Sequence, residues 1–196
     1  MQASQYKQQD GEDLMLWQSF RRGQREALGV LFDRYAQPLF AYGHHLVSDP
    51  ELVKDAIQTV FVNLWQWREK LSEEVTVRFY LYRSLKREML KHTAKPRLRI
   101  AWPPSDDYAS SIEQHLVATE DEQLVAAKLN VSLAQLSARE KEIINLKYFS
   151  SFKVREIADL LHLSEQTVSN LLHRALKKLR KSFVLGLLLL LLLGLR

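Results

Sequence analysis

The chain has 196 residues, enough for one ordinary domain or two small ones. A hydrophobic fraction of 46% and an aromatic fraction of 10% are normal for a folded protein and exclude wholesale disorder. The formal charge of +5 is compatible with a nucleic acid, an acidic partner or a membrane surface. The absence of cysteine excludes disulfides and thiolate metal sites, and the polar amino terminus lacks the apolar core of a signal peptide. We therefore expect a cytoplasmic protein.

Residues 1–95 are predicted to be helical, because apolar side chains recur every three or four positions. The pair Arg22-Gly23 predicts a break between the first two helices. Pro38 predicts either an interruption of the second helix or the start of a new one. Asp49-Pro50 then opens a third helix, whose apolar positions follow the i, i+3, i+4 rule as far as Leu64.

The remainder of the sequence divides into further segments. A fourth helix is predicted from about Val77 to His92, and it mixes aromatic with basic residues. Residues 96–122 form a predicted flexible linker, because prolines interrupt it and its charge changes sign part-way. Residues 123–182 are expected to make a second helical domain, followed by a leucine-rich tail at 183–196. The predicted fold is therefore all-α, with two small helical domains joined by a flexible linker.

The strongest motif is a helix-turn-helix between Lys153 and Arg180. A short amphipathic helix, Val154–Leu161, is followed by a three-residue turn that ends in Ser164, a good N-cap. The second helix of such a motif enters the major groove of DNA. Its exposed side carries polar residues first and cations later, an order that suits base contacts followed by phosphate contacts. The predicted DNA-binding residues are Glu165, Gln166, Thr167, Ser169, Asn170, His173, Arg174 and Lys177, and the basic run continues through Lys178, Arg180 and Lys181. The alternative is an ordinary helical hairpin with a solvated basic face.

This part of the sequence also carries a family resemblance. The segments LSAREKEIINLKYF and VREIADLLHLSEQTVSNLLHRALKKLRK resemble domain 4 of the sigma-70 family, in its extracytoplasmic-function branch, which implies recognition of the −35 promoter element. His162 stands where the family prefers glycine, at a position that can require positive φ, which histidine tolerates better than a β-branched residue. Lys153 stands where a capping Ser or Thr is usual, so we expect that helix to begin nearer Ser151. A capping box at Ser137-Ala-Arg-Glu140 predicts the start of the preceding helix.

The amino-terminal part extends the resemblance. The segment ALGVLFDRYAQPLFAYGHHL is similar to the first helices of sigma domain 2. The segment DPELVKDAIQTVFVNLWQ resembles the helix by which that domain docks on the largest subunit of RNA polymerase. The polymerase-binding residues that this implies are Asp55, Gln58, Val62 and Trp65. Thr59 departs from the family, which usually carries an acid there.

In the fourth helix, the segment VRFYLYR (Val77 to Arg83) resembles the FRAWLYR run of sigma domain 2, which implies a role in holding the melted −10 strand, although Tyr80 stands where the family commonly has tryptophan. Proteins hold unpaired strands with cations and aromatic platforms, each stacked base contributing about 1–3 kcal/mol. The predicted −10 residues are Tyr80, Tyr82, Arg83, Lys86 and Arg87, the last standing where asparagine is common. In the family, the loop from about Leu71 to Thr76 would cradle a flipped base. Aromatic residues at helical spacing are usually core, so Phe79 and Leu81 are expected to pack inside, and Tyr80 and Tyr82 are assigned either role.

No other feature of the sequence indicates a metal site, a cofactor site or a catalytic site. His44-His45 has no further ligand at suitable spacing, so we expect no metal, no cofactor and no catalytic residue. As a helix, Phe183 to Leu195 would be about 20 Å long, short of the ~30 Å needed to span a bilayer. We expect this tail to pack on domain 4, to contact a regulator or to associate loosely with a membrane, in that order.

The resemblance implies a sigma factor, which directs core RNA polymerase to promoters and is not an enzyme. The implied partners are core RNA polymerase, promoter DNA and an anti-sigma factor, and membrane contact through the tail is the least expected. One alternative is a conventional helix-turn-helix regulator that binds DNA without polymerase. The other is a membrane-associated helical adaptor.

Overall fold

A computed structural model describes residues 2–92, 133 and 135–193, with side chains for 9–91, 133 and 135–181. The chain divides into two compact units, Met1–Arg99 and Ile100–Arg196. All regular elements in the described residues are helices. The predicted linker at 96–122 lies outside those residues.

The first unit contains α1 (Gln2–Arg21), α2 (Arg25–Leu46), α3 (Pro50–Trp67), a 3₁₀ turn (Arg68–Lys70) and α4 (Val77–His92). Gly23, at φ +95°, forms the predicted break between α1 and α2. Helix α3 begins as predicted, with a proline in its first turn. The Asp49 carboxylate caps it by accepting hydrogen bonds from the backbone N–H groups of Glu51 (3.1 Å) and Leu52 (3.2 Å).

The core of the first unit lies where α2 packs against α1, α3 and α4. Helix α3 buries the face that its apolar periodicity predicts: Val53, Ala56, Ile57, Val60, Phe61 and Leu64. Helices α2 and α3 approach closely at Gly43, where an added Cβ would lie 2.6 Å from Cγ1 of Val53. A side chain at Gly43 would therefore force the two helices apart.

Pro38 does not interrupt the second helix, so that prediction was wrong. Helix α2 runs unbroken from Arg25 to Leu46. Pro38 is exposed, whereas Leu39 and Tyr42 are fully buried on the core side. Burial of these two large side chains, in the turn that follows Pro38, offsets the free-energy cost of the backbone hydrogen bond that proline cannot make.

A buried carboxylate joins α1 to α2. Asp13 is 1% exposed and accepts hydrogen bonds from the Arg34 guanidinium and the Tyr35 hydroxyl. Burial, and then the hydrogen bond to Asp13, raise the pKa of Tyr35 well above its ordinary range. Tyr35 therefore remains a hydrogen-bond donor to Asp13 at any physiological pH.

The described part of the second unit contains α5 (Ala138–Ile144), a π-helical turn (Asn145–Phe149), α6 (Val154–Leu161) and α7 (Glu165–Leu193). The predicted capping box starts α5, since the Ser137 hydroxyl accepts from the Glu140 N–H (3.3 Å) and the Glu140 carboxylate accepts from the Ser137 N–H (2.8 Å). The π-helical turn leaves Tyr148 and Phe149 exposed, and Phe152 returns to the core with no exposed surface.

Helix α7 continues into the leucine-rich tail as far as Leu193. The side chains of 182–196 lie outside the described residues, so the expectations about what the tail contacts stay predictions. No helix within the described ranges combines the length and apolar character needed to cross a membrane.

We predict that Asp13→Ala lowers the free energy of unfolding of the first unit by about 2–4 kcal/mol, because it leaves the Arg34 and Tyr35 donors without their buried acceptor. Urea unfolding of the full chain, followed by tryptophan fluorescence, measures this change. Glu51→Gln, which breaks the exposed 2.7 Å ion pair with Lys54, is the matched control and should cost less than about 1 kcal/mol. Equal losses in the two variants would contradict the structural role of Asp13.

Candidate functional site

Helix α6 begins at Val154, so the expectation of a start nearer Ser151 was wrong. Ser151 has φ 55°, which does not continue into a right-handed helix. The Glu156 carboxylate accepts a hydrogen bond from the Lys153 N–H at 2.7 Å. Glutamate in the first turn thus supplies the cap that a lysine side chain cannot.

The turn between α6 and α7 depends on His162. Its φ of 54° and ψ of 48° are left-handed, as expected for a position where the family prefers glycine. The following Leu163 N–H bonds to the Ala158 carbonyl at 2.9 Å, and Arg139 of α5 donates to the Leu161 carbonyl at 2.9 Å. These bonds satisfy the carboxyl end of α6 and set the direction in which α7 leaves the turn.

The amino end of α7 is capped as predicted by Ser164, whose hydroxyl accepts from the Thr167 N–H at 3.1 Å and lies 2.8 Å from the Thr167 hydroxyl. One turn further on, the Gln166 amide donates to the Asn170 side-chain carbonyl at 3.1 Å. This bond does not use the Gln166 carbonyl oxygen or the Asn170 NH₂ group. The paired amides can therefore offer one acceptor and one donor to a base edge.

The face of α7 that remains open to solvent carries the predicted DNA-binding residues. Val168, Leu172 and Ala175 fill its buried face. Thr167 is half-buried, and the exposed residues are Glu165, Gln166, Ser169, Asn170, His173, Arg174 and Lys177. Polar groups and then cations therefore lie along one accessible side of a helix, which is the arrangement that reads a major groove and holds its phosphates.

Lys178 has a different role from the cations around it. Its ammonium lies 2.7 Å from Oε2 of Glu140, the buried residue of the α5 capping box. Burial alone would raise the pKa of Glu140, but hydrogen bonds from Lys178 and Ser137 outweigh it and hold the pKa below its ordinary value. Lys178 thus fixes α7 to α5. Sequence reasoning placed it in the basic run because charge alone does not reveal a buried partner.

In the first unit, the predicted polymerase-binding residues Asp55, Gln58, Val62 and Trp65 form one stripe along α3, here called the α3 stripe. Asp55, Gln58 and Val62 are exposed, and Trp65 is half-buried. The guanidinium groups of Arg25 (5.3 Å) and Arg68 (4.7 Å) both lie over the Trp65 ring. These cation–π contacts hold the indole at the surface.

An apolar groove of about 470 Å³ runs beside the α3 stripe, between α2 and α3. Phe32 of α2 lines it, is 43% exposed and packs edge-on against Phe61 at 5.0 Å. Val62 on the opposite wall is 47% exposed. Sequence reasoning did not assign Phe32 to this surface, because helical spacing placed it in the same apolar stripe as Ala27, Leu31 and Tyr35, which are buried.

A second pocket, of about 380 Å³, lies between α3 and α4 and is here called the α3–α4 pocket. Its lining combines aromatic, amide and charged groups. Among them are Trp67, Tyr80, Asn63, Arg87 and the ion pair that Lys91 makes with Glu88 at 2.7 Å. Trp67 is 52% exposed and carries the Lys70 ammonium 4.9 Å from its ring. Aromatic surface beside cations suits an unpaired nucleotide.

The predicted −10 residues on helix α4 differ in their exposure to solvent. Arg83 and Arg87 are exposed, and Tyr80 and Lys86 are half-buried. Tyr82 is 2% exposed, with its ring 5.0 Å from that of Tyr42, so its prediction as a −10 residue is corrected to a core role: burial leaves it no face on which a base could stack. Leu81 is fully buried, as expected, whereas Phe79 is half-buried.

The histidine pair in α2 shows no metal-binding geometry. His44 stacks on Phe40 at 5.8 Å, and His45 is buried. No group of three or more candidate ligands converges anywhere in the described side chains.

Comparison with known proteins matches both units to one family. The family model for sigma-70 region 2 matches residues 31–98, and that for sigma-70 region 4 matches residues 126–179. The chain belongs to the sigma-70 family. The region 2 match to this sigma factor begins within α2, so α1 precedes the matched segment.

Curated relatives place the sigma factor in the extracytoplasmic-function branch. It is 27% identical over 155 residues to the ECF RNA polymerase sigma factor SigL of Mycobacterium tuberculosis, which covers 77% of this chain and 85% of SigL. It is 25% identical over 163 residues to the ECF RNA polymerase sigma factor SigX of Bacillus subtilis, covering 80% and 83% of the two chains.

Solved structures share the fold of this sigma factor. CnrH, in complex with the cytosolic domain of CnrY, has a TM-score of 0.60 and 21% identity, covering 87% of this chain and 96% of CnrH. The sigma factor RpoE from Bartonella quintana, in complex with the anti-sigma factor NepR, has a TM-score of 0.52 and 14% identity, covering 78% and 96%.

We predict that acid weakens the second unit of the sigma factor through Glu140. Because its folded-state pKa is lowered, its stabilising contribution is complete above the ordinary pKa of 4.5 and is lost as pH falls through the folded-state value. Glu140→Gln keeps the shape of the side chain but cannot ionise. Urea unfolding followed by circular dichroism should therefore show the stability difference between wild type and variant shrinking from about pH 6 to about pH 3. A difference that stays constant with pH would contradict this assignment.

Proposed function

We propose that this sigma factor directs core RNA polymerase to its promoters through three surfaces: the α3 stripe, the α3–α4 pocket with α4, and the exposed side of α7. We assign sigma domain 2 to residues 1–95, the linker to 96–122 and sigma domain 4 to 123–182. The supporting observation is that one chain combines the exposed α3 stripe with a capped helix-turn-helix in a separate unit.

The α3 stripe is the proposed docking surface for polymerase. Val62 and Phe32 expose apolar surface beside the Trp65 indole, and Asp55 and Gln58 continue the stripe with polar groups. An apolar centre with a polar rim is typical of a protein interface. The exposed apolar surface costs free energy in water, which docking recovers.

The α3–α4 pocket is the proposed site for an unpaired −10 base. Tyr80 and Trp67 supply aromatic surface, and the exposed Arg87 supplies positive charge. The ammonium of Lys91 is paired with the Glu88 carboxylate at 2.7 Å. Arg83, exposed on α4, and Lys86, half-buried there, would bind the adjoining phosphates. Tyr82 is excluded from this role by its burial.

Helix α7 is the proposed −35 reader. Gln166 and Asn170 face the base edges as a hydrogen-bonded pair, with Glu165, Thr167, Ser169 and His173 beside them. Arg174 and Lys177 bind phosphates one and two turns later. This sigma factor would also be controlled by an anti-sigma factor that covers the α3 stripe. The two similar structures named above support this, because each is a complex with a second protein, which for RpoE is an anti-sigma factor.

We predict that Val62→Glu weakens binding to core polymerase about thirtyfold, because it places a charge in the apolar centre of the interface. Equilibrium binding of fluorescently labelled sigma factor to core polymerase measures the effect. Glu51→Gln, on α3 but outside the stripe, should bind as wild type does. Unchanged affinity of Val62→Glu would reject the α3 stripe as the docking surface.

We predict that Arg174→Ala weakens promoter binding at every sequence and reduces the slope of log K against log salt by about 0.9 for each lost phosphate contact. Holoenzyme binding to promoter DNA across a salt series measures the slope. Asn170→Ala is the matched control, because it should change −35 base preference and leave the slope unaltered. An unchanged slope for Arg174→Ala would overturn its assignment. Equally tight promoter binding without polymerase would favour a conventional regulator.

A further inference from the structure

Helix α1 precedes the residues matched by the family model for region 2, yet it packs against α2, α4 and the 3₁₀ turn of the first unit. Trp17, on its inner face, has no exposed surface. Its indole Nε1–H donates to the backbone carbonyl of Ser72 at 2.9 Å, across 55 positions of sequence. Ser72 lies in the loop Leu71–Thr76, here called the α3–α4 loop, which connects the 3₁₀ turn to α4.

The same indole also contacts the wall of the α3–α4 pocket. Its ring packs edge-on against Tyr80 at 5.0 Å, and Tyr80 lines that pocket together with Leu71, the first residue of the α3–α4 loop. The indole also packs edge-on against Phe20 at 4.9 Å. Trp17 therefore fixes the loop through a hydrogen bond and the tyrosine ring through packing.

A second contact from α1 reaches the next residue of the loop. The Arg21 guanidinium lies 3.1 Å from the Glu73 carboxylate, with side chains 16% and 78% exposed. Within the loop, the Ser72 hydroxyl donates to the Glu74 carbonyl at 3.2 Å. Because Glu73 is mostly solvated, the ion pair contributes less than the buried indole bond.

We propose that α1 is the support of the −10 site: Trp17 is a positioning residue that holds the α3–α4 loop and Tyr80 in the geometry that captures an unpaired base, and Arg21 assists it. This inference rests on the proposed −10 role of the α3–α4 pocket. A connecting loop is otherwise free to move, and ordering it upon binding would cost affinity and selectivity. A loop fixed in advance by α1 avoids that cost.

Trp17→Phe tests the inference, because it keeps an aromatic ring in the core but removes the N–H donor to Ser72. Holoenzyme assembled with the full-length variant transcribes from a promoter that the wild-type enzyme uses, with the −10 element randomised, and the transcripts are sequenced. We expect base selectivity at one −10 position to fall about tenfold, the size of effect of one lost positioned hydrogen bond. Binding to core polymerase and preference at the −35 element should be unchanged.

The matched control is Leu39→Val, which removes a buried methylene from α2 away from the α3–α4 loop and pocket lining. It should lower thermal stability and leave −10 selectivity intact. Arg21→Glu should reduce selectivity by a smaller factor, and the charge exchange Arg21→Glu with Glu73→Arg should restore it.

Three results would overturn the positioning role: unchanged selectivity in Trp17→Phe, an equal loss in Leu39→Val, or parallel losses at the −10 and −35 elements. A wild-type holoenzyme with no −10 base preference would instead refute the proposed −10 function itself, and this inference with it.

Discussion

Burial of one face of α3 against α2 and α4 is the constraint on which the first unit depends. Each large apolar side chain on that face contributes about 1.5–3 kcal/mol, so α3 cannot rotate without losing much of the stability of the unit. Helical geometry then places Asp55, Gln58 and Val62 on the side open to solvent. Folding and partner binding therefore use opposite faces of one rigid helix, and the core determines how the α3 stripe is presented.

The second unit positions its DNA-binding helix through contacts on either side of the residues that would read bases. His162, in the left-handed conformation, turns the chain between α6 and α7. Lys178 and Glu140 then connect α7 to the start of α5 through a buried carboxylate. Between these contacts, the side chains of Gln166, Ser169 and Asn170 are exposed and available to bases. Thr167 differs, because its hydroxyl and backbone N–H take part in the helix cap.

The features that the sequence predicts well are those set by local periodicity and capping. The buried face of α3, the Ser137 capping box and the turn at His162 depend on residues close together in the chain, so pattern and geometry suffice. Where long-range packing decides, the predictions failed or stayed open. Helical spacing alone does not show which of Tyr80 and Tyr82 is buried. Packing against Tyr42 places the Tyr82 ring in the core, whereas the Tyr80 ring packs against Trp17 and lines the α3–α4 pocket. The bond between Trp17 and Ser72 could not be foreseen, since no local pattern relates residues so distant in sequence.

The proposal that the first unit binds polymerase and the second binds duplex DNA can be tested directly. The chain has no cysteine, so single cysteines can be introduced as attachment sites for probes. Val62→Cys and Asn170→Cys would each carry a short photo-crosslinker in an active holoenzyme–promoter complex. We expect the probe at 62 to crosslink to a polymerase subunit and the probe at 170 to crosslink to duplex DNA at the −35 element. Crosslinking of the probe at 62 to DNA would contradict this assignment. So would transcription in which neither probe crosslinks to its expected partner.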